Sequence, residues 1–213
     1  MLMEKERTEL VDGGIIMLEK GFTKGTSGNL SIYNRELQLM AITPSGMDYR
    51  ELKPEDMVVM NLQGTVVEGE RKPSSEYMLH AILYENRWDL NSVVHAHTVS
   101  STTIACLRED LPAVTYMLAV AGKSVKCAKY ATFGTRELAL NALEAMQDNN
   151  AVLLANHGVV TGGESMKKAL DILEQVEYAA ELYYRTRCIG QPEVIEDEEM
   201  TRIMKKFKMY GQK

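Results

Sequence analysis

The chain has 213 residues, 45% of them apolar and 25% charged, with a net charge of −6. That length and balance fit one compact domain able to bury a core without covalent staples, and exclude disordered and fibrous classes. The acidic surplus excludes a general nucleic-acid binder, because phosphate backbones select basic faces, yet a local pocket can still take a small anion. Cys106, Cys127 and Cys188 are too few and too scattered for a disulfide framework and contain no CxxC pair, which suits the reducing cytoplasm. The N-terminus MLMEKERTEL carries charges where a signal peptide needs an apolar stretch, and no window approaches the ~20 apolar residues of a membrane span. A soluble, unexported protein with no membrane or nucleic-acid partner is expected.

Residues 3 to 20 set Leu10, Ile15, Met17 and Leu18 among charges, a loose amphipathic helix that Gly21 can end. A glycine and hydroxyl cluster, Gly25-Thr26-Ser27-Gly28-Asn29, leads into Leu30–Tyr33, whose alternation predicts a half-buried strand. Leu37–Thr43 repeats the alternation until Pro44-Ser45-Gly46 breaks it. Met57–Leu62, Gln63-Gly64 and Thr65–Val67 read as a hairpin with the glycine in its turn. From Ser75 the period changes. Met78, Leu79, Ile82 and Leu83 share one helical face to about Arg87, with Ser74 or Ser75 as N-cap. Val93–Val99 and Ala151–Ala155 predict strands, the second apolar throughout and buried on both faces. Residues 134–147 and 164–188 predict helices, the longer with Leu170, Leu173, Val176 and Leu182 as its core stripe. A last helix, 196–208, runs from acidic to basic in the order the helix dipole favours.

His95 and His97 are one residue apart in an apolar strand, so both imidazoles leave the same face, roughly 6 to 7 Å apart at the backbone. Two ring nitrogens can then converge on one ion. An open zinc site usually takes three protein ligands, and His157, at the end of the 151–155 strand with Gly158 expected to turn the backbone sharply, supplies the third. Taken singly, each of these histidines is equally a hydrogen-bonded core residue; the HxH pair tips the balance towards metal. Glu76 is the carboxylate to add, although its local pattern alone reads as a helix-capping acid. His80, four residues on, can also ligate, but three histidines and one carboxylate complete a tetrahedral set without it, so a supporting or packing role is expected.

Several segments in order along the chain resemble the class II aldolase and adducin head family. They are Gly28-Asn29-Leu30-Ser31, Ile42–Gly46, Lys72–Glu76, His95-Ala96-His97, Tyr130–Leu138, Asn156-His157-Gly158 and Phe207–Gly211. The resemblance implies a single α/β domain over residues 1–213, with a largely antiparallel central sheet flanked by helices, assembled as a homotetramer with active sites at subunit boundaries. It implies Zn²⁺, with Mn²⁺ or Co²⁺ as substitutes, bound by Glu76, His95, His97 and His157, with Glu76 also moving a proton. Gly28, Asn29, Ser45, Gly46, Ser74 and Ser75 match phosphate-contacting segments. Tyr116 matches an acid-base tyrosine, and Phe133, Phe207 and Tyr210 match residues at the aldehyde end.

The activity so implied is cleavage of a ketose 1-phosphate, L-fuculose 1-phosphate or a related deoxyketose, into dihydroxyacetone phosphate and an aldehyde such as lactaldehyde. A Lewis acid on the ketone and adjacent hydroxyl oxygens stabilises the electron pair left when the carbon–carbon bond breaks. A Schiff-base aldolase needs a desolvated lysine instead, and Lys72, Lys123 and Lys126 sit in polar surroundings. No GxxxxGK[ST] loop is present, which disfavours nucleotides. Within the same family a pentulose-phosphate 4-epimerase and a methylthioribulose-1-phosphate dehydratase are alternatives; in the epimerase branch an aspartate stands where Glu76 is. A non-catalytic adducin-like scaffold is the alternative of a different class, and it lacks the metal histidines found here.

Overall fold

Adjacent residues on the central strands belong to different apolar clusters, and this alternation builds the architecture. The computed structural model of the protein describes residues 1–207 and 209. Helix α1 (Glu4–Glu19) precedes strands β1 (Asn29–Asn34), β2 (Leu39–Ile42), β3 (Val58–Met60) and β4 (Val66–Glu68). Then come α2 (Tyr77–Asn86), β5 (Ser92–Ala96), α3 (Val99–Leu107), β6 (Cys127–Ala128), α4 (Arg136–Met146), β7 (Ala151–Leu154), β8 (Gly158–Gly163), α5 (Met166–Ile189) and α6 (Asp197–Phe207). The eight strands form one sheet in the order β4-β3-β2-β1-β5-β8-β7-β6. Only the β6–β7 edge is parallel. This is the expected α/β domain with a largely antiparallel sheet.

Helices cover both faces. Leu30, Ile32, Val94, Ala96, Leu153 and Val159 pack with α1, α3 and α5, whereas Val93, Val152, Leu154 and Val160 pack with α2 and α4. Period-two alternation therefore sends Asn29 and Ser31 of β1 and His95 of β5 to the α2 face, in register, with Asn29 opposite His95 and Ser31 opposite Val93. All four residues of β7 are fully buried, each large one contributing about 1.5–3 kcal/mol.

Several expectations are corrected. The strand expected to reach Val99 stops at Ala96, and α3 follows at once, in a Val-Ser-Ser-Thr-Thr segment with little helix propensity. Glu177 of α5 compensates: its carboxylate accepts from Ser100 N at 2.7 Å and from Ser101 N at 2.8 Å, closing the N-terminus of α3. Strand β8, whose glycines hide its pattern, was also not expected. Helix α2 begins at Tyr77 with Glu76, not a serine, at its N-cap; Ser74 Oγ only accepts from Glu76 N, at 3.2 Å. Strand β2 starts at Leu39 because Gln38 takes φ +56° in the turn before it. Leu182 is only partly buried, unlike Leu170, Leu173 and Val176.

Because Glu177 alone closes the helix that follows His97, we expect Glu177→Ala to lower stability by about 1–3 kcal/mol, read from the urea midpoint. A loss below about 0.5 kcal/mol would show that α3 holds without this cap.

Candidate metal centre and active site

His95 is the fourth residue of β5 and points to the α2 face; His97 follows the strand by one residue, just before Thr98 opens α3. His157 sits in the three-residue turn between β7 and β8, closed by its N–H on Leu154 O at 3.0 Å. The sharp step in that turn is made by Asn156, at φ +54°, and not by Gly158 as the sequence suggests. Gly158 is required for a different reason. A Cβ there would lie 2.4 Å from Ala96 O and 2.9 Å from His97 Cδ2, so any side chain would push apart the two segments that carry ligands. Glu76 does not cap its helix. Its Oε2 lies 3.3 Å from His95 Nε2 and its Oε1 3.5 Å from His157 Nε2.

One donor atom from each of Glu76, His95, His97 and His157 lies within 4.8 Å of all the others. The protonation pattern fits a divalent ion. His95 Nδ1–H donates to Val159 O at 3.0 Å, which leaves its Nε2 lone pair facing His97 Nε2 at 2.9 Å. Two ring nitrogens at that separation need a proton or a shared cation between them. Burial, and after it the neighbouring His95 ring, pushes His97 and His157 down to about 4. Burial pushes the Glu76 carboxyl up, but the pull of the His95 and His157 rings and the Asn29 hydrogen bond outweigh it and hold the group at about 2. A metal ion among the rings exerts the same sign of charge on all three. Neutral imidazoles, an ionised carboxylate and a buried Oε1 with no hydrogen-bond partner make a donor set for a metal.

A cavity of about 360 Å³ opens beside the cluster, in the size range of small-molecule sites. Besides Glu76, His97 and His157 it is lined by Tyr130, Ala131, Phe133 and Asn156. The segments expected at the phosphate neighbour the metal-binding residues, but none of their residues lines this cavity. Gly28, at φ +79°, packs so closely on β5 that a Cβ would come within 2.7 Å of His95 O. Asn29 Nδ2 donates to Glu76 Oε2 at 3.0 Å. Ser45 N donates to Lys72 O at 2.9 Å and Ser74 N to Thr43 O at 3.1 Å, lacing residues 43–46 to residues 72–75. Gly46 has φ +71° and open space around it, and the turn at Gly134 packs on Ser75 O.

The aldehyde-end residues divide. Phe133 lines the cavity. Tyr116 lies in a short 3-10 segment, Tyr116–Val120, is 54% exposed and stacks on Phe207 with ring centroids 6.3 Å apart; neither ring lines this cavity. Tyr210 lies outside the described residues. Tyr130 and Asn156, which the sequence did not single out as site residues, are cavity walls held from behind by Arg108. Its Nε donates to Asn156 Oδ1 at 2.9 Å and its guanidinium lies over the Tyr130 ring at 5.9 Å. Their signal is position alone, Asn156 being next to a ligand and Tyr130 opening the segment 130–138.

Residues 8–184 match the class II aldolase and adducin N-terminal domain family. The chain belongs to this family. It is 52% identical over 212 residues, the full length of both chains, to the 5-deoxy-D-ribulose 1-phosphate aldolase of Bacillus thuringiensis serovar kurstaki. It is 39% identical over 213 residues, 99% of this chain and 98% of the other, to the L-fuculose phosphate aldolase of Escherichia coli K12. A solved L-fuculose 1-phosphate aldolase superposes with a TM-score of 0.96 at 52% identity, covering 98% of each chain. The His₃Glu cluster is thus a metal site of the class II aldolase type.

From an open donor set in a domain with a large core, we expect about one divalent ion per purified chain. A chelator should remove it, and the circular dichroism of the sheet and helices should survive. Unfolding on chelation would mark the ion as structural. His97→Ala should lose the ion while keeping the fold.

Proposed function

We propose that this chain is a zinc-dependent aldolase that cleaves a ketose 1-phosphate into dihydroxyacetone phosphate and a short aldehyde. Its substrate is 5-deoxyribulose 1-phosphate, L-fuculose 1-phosphate or a close deoxyketose relative. The supporting observation is the convergence of the four metal-binding side chains beside one cavity, with residues 43–46 laced to the residues 72–75 that lead into Glu76. The metal, held by Glu76, His95, His97 and His157, supplies Lewis-acid charge to the ketone and neighbouring hydroxyl oxygens. Zinc is assigned over manganese and cobalt because nitrogen and oxygen sites of this kind bind it more tightly.

Binding and proton movement fall to the chain's own groups. Gly28, Asn29, Ser45, Gly46, Ser74 and Ser75 hold the phosphate, Ser45 and Ser74 through their hydroxyls because their main-chain N–H groups are bonded to Lys72 O and Thr43 O. Glu76, with one oxygen tied to Asn29, moves the proton on the carbon that stays with dihydroxyacetone phosphate. Phe133 and Tyr130 border the aldehyde fragment. Tyr116, Phe207 and Tyr210 serve the same end. Since Tyr116 and Phe207 stand outside the cavity of their own chain, they act at the cavity of a neighbouring copy in a homotetramer, where the Tyr116 hydroxyl handles the proton of the aldehyde oxygen.

The unit of function is residues 1–213 as one catalytic domain. No described helix is long and apolar enough to cross a membrane. Three free cysteines suit a reducing compartment, and the cytoplasm is assigned.

An assay across deoxyketose 1-phosphates, read as dihydroxyacetone phosphate released, tests the activity; no release from any of them would remove the aldolase reading. Tyr116→Phe keeps ring volume and removes only the hydroxyl, so cleavage should fall roughly 10²-fold or more. Solvent exchange into dihydroxyacetone phosphate, which needs Glu76 and not Tyr116, should continue. Cleavage near the wild-type rate, or exchange falling in parallel, would take Tyr116 out of the aldehyde-side role.

A further inference from the structure

Behind Glu76, on the side away from His95, His97 and His157, the interface of α2 and β1 carries a polar set of which only Asn29 belongs to the proposed substrate site. His80 and Tyr84 follow Glu76 at intervals of four along the helix, and Asn29 and Ser31 meet them from the strand. All four are buried, His80 and Ser31 completely. They connect to Glu76 without a break. Asn29 Nδ2 lies 3.0 Å from Glu76 Oε2, and Asn29 Oδ1 meets His80 Nε2. His80 Nδ1 lies 2.7 Å from Ser31 Oγ, which lies 2.7 Å from the Tyr84 hydroxyl.

The carboxylate end sets the direction of every proton in this chain of bonds. An ionised carboxylate only accepts, so Asn29 turns its N–H₂ to Glu76 and its carbonyl to His80. A carbonyl also only accepts, so His80 carries its proton on Nε2. The neutral ring then accepts at Nδ1 from the Ser31 hydroxyl, whose oxygen is left to accept from Tyr84. Tyr84 shares its proton with the Ser31 carbonyl at 2.9 Å. Burial first, then the neighbouring His95 ring, pushes His80 down to about 3, which favours the neutral ring.

We infer that His80 is a positioning residue for Glu76. Its Nε2–H fixes the Asn29 amide in the orientation that donates to Glu76 Oε2, and Ser31 and Tyr84 hold His80 in the tautomer that does so. The result is an asymmetric carboxylate: Oε2 is tied down, and Oε1, buried without a hydrogen-bond partner, faces the metal-binding rings. A flipped Asn29 would press its carbonyl against the carboxylate in a dry site, and donors that all point one way polarise one another, so the arrangement resists reversal.

The inference rests on the aldolase reading for its kinetic consequence, but the proton position can be read without activity. On the zinc-loaded protein with isotopically labelled histidine, nitrogen NMR should show His80 neutral, protonated on Nε2 and bare on Nδ1. His80→Phe should lower kcat by about 10-fold or more while KM and the affinity for inorganic phosphate stay within about threefold. The visible spectrum of its cobalt-loaded, substrate-free form should shift, because the carboxylate is no longer held. His80→Gln, whose carboxamide can replace the Nε2–H donor, should recover most of kcat and the wild-type spectrum. A ring protonated on Nδ1 overturns the inference whatever the variants do, including a phenylalanine variant that fails to fold. A folded phenylalanine variant with kcat within about twofold of wild type and an unshifted cobalt spectrum overturns it too, as does a kcat loss that glutamine shares in full. A wild-type protein with no aldolase activity would remove the aldolase reading and leave the tautomer to be judged by its own spectrum.

Discussion

One carboxylate and three imidazoles whose donor atoms lie within 4.8 Å of one another are an unfavourable cluster by themselves. Each loses water, and His95 Nε2 and His97 Nε2 stand only 2.9 Å apart. A divalent ion reverses the sign of these interactions, but only if the four groups are already in place. The surrounding fold supplies that constraint. Strand β5 carries His95 and leads directly to His97; β8 presses against Ala96 and His97 so closely that only glycine fits at 158; and the β7–β8 turn sets His157 opposite Glu76. The cost of holding these groups together is spread over a sheet whose central strands are buried on both faces.

That sheet separates two tasks. The face covered by α1, α3 and α5 is apolar and supplies stability, with Leu30, Val94, Ala96, Leu153 and Val159 among its fully or nearly fully buried residues. The face covered by α2 and α4 is apolar towards β3 and β7 and polar between β1, β5 and the first two turns of α2. Asn29, Ser31 and His95 reach this polar zone because they occupy alternate positions on two strands paired in register. A slip of one residue in β1 would send Asn29 and Ser31 to the wrong face and leave His80 without partners.

Much of this was legible in the sequence where a single period governs a segment. The HxH spacing, the apolar run of β7 and the glycine of the β3–β4 hairpin each state a local rule that the fold obeys. Helix α3 was not legible because its β-branched and serine-rich sequence lacks intrinsic preference and borrows a cap from Glu177 on α5, far along the chain. Strand β8 was hidden because its glycines answer to close packing against Ala96, Leu90 and Lys168 rather than to strand propensity. Asn156 and Tyr130 escaped notice as site residues because only the tertiary position of Arg108 makes them a wall. Glu76 shows the limit most clearly: its local pattern is that of a capping acid, and it stands at the cap position, yet its side chain turns away from the helix.

The two hairpin turns at opposite ends of the sheet differ in what they permit over evolutionary time. Residues 35–38, between β1 and β2, are all exposed and lie at the end of β1 away from Asn29, so length changes there add chain to solvent without moving a ligand. The turn at 155–157 has no such latitude: Asn156 is in a left-handed conformation, His157 bonds back to Leu154, and Gly158 is wedged against Ala96 and His97. Lineages descending from this chain can lengthen the first turn after Arg35, whose guanidinium holds Arg87 O, Leu90 O and Asn91 Oδ1, and an epitope or reporter is best grafted there. At the second turn, a single inserted residue would shift His157 out of reach of the other three ligands, so its length is frozen for as long as the metal is retained.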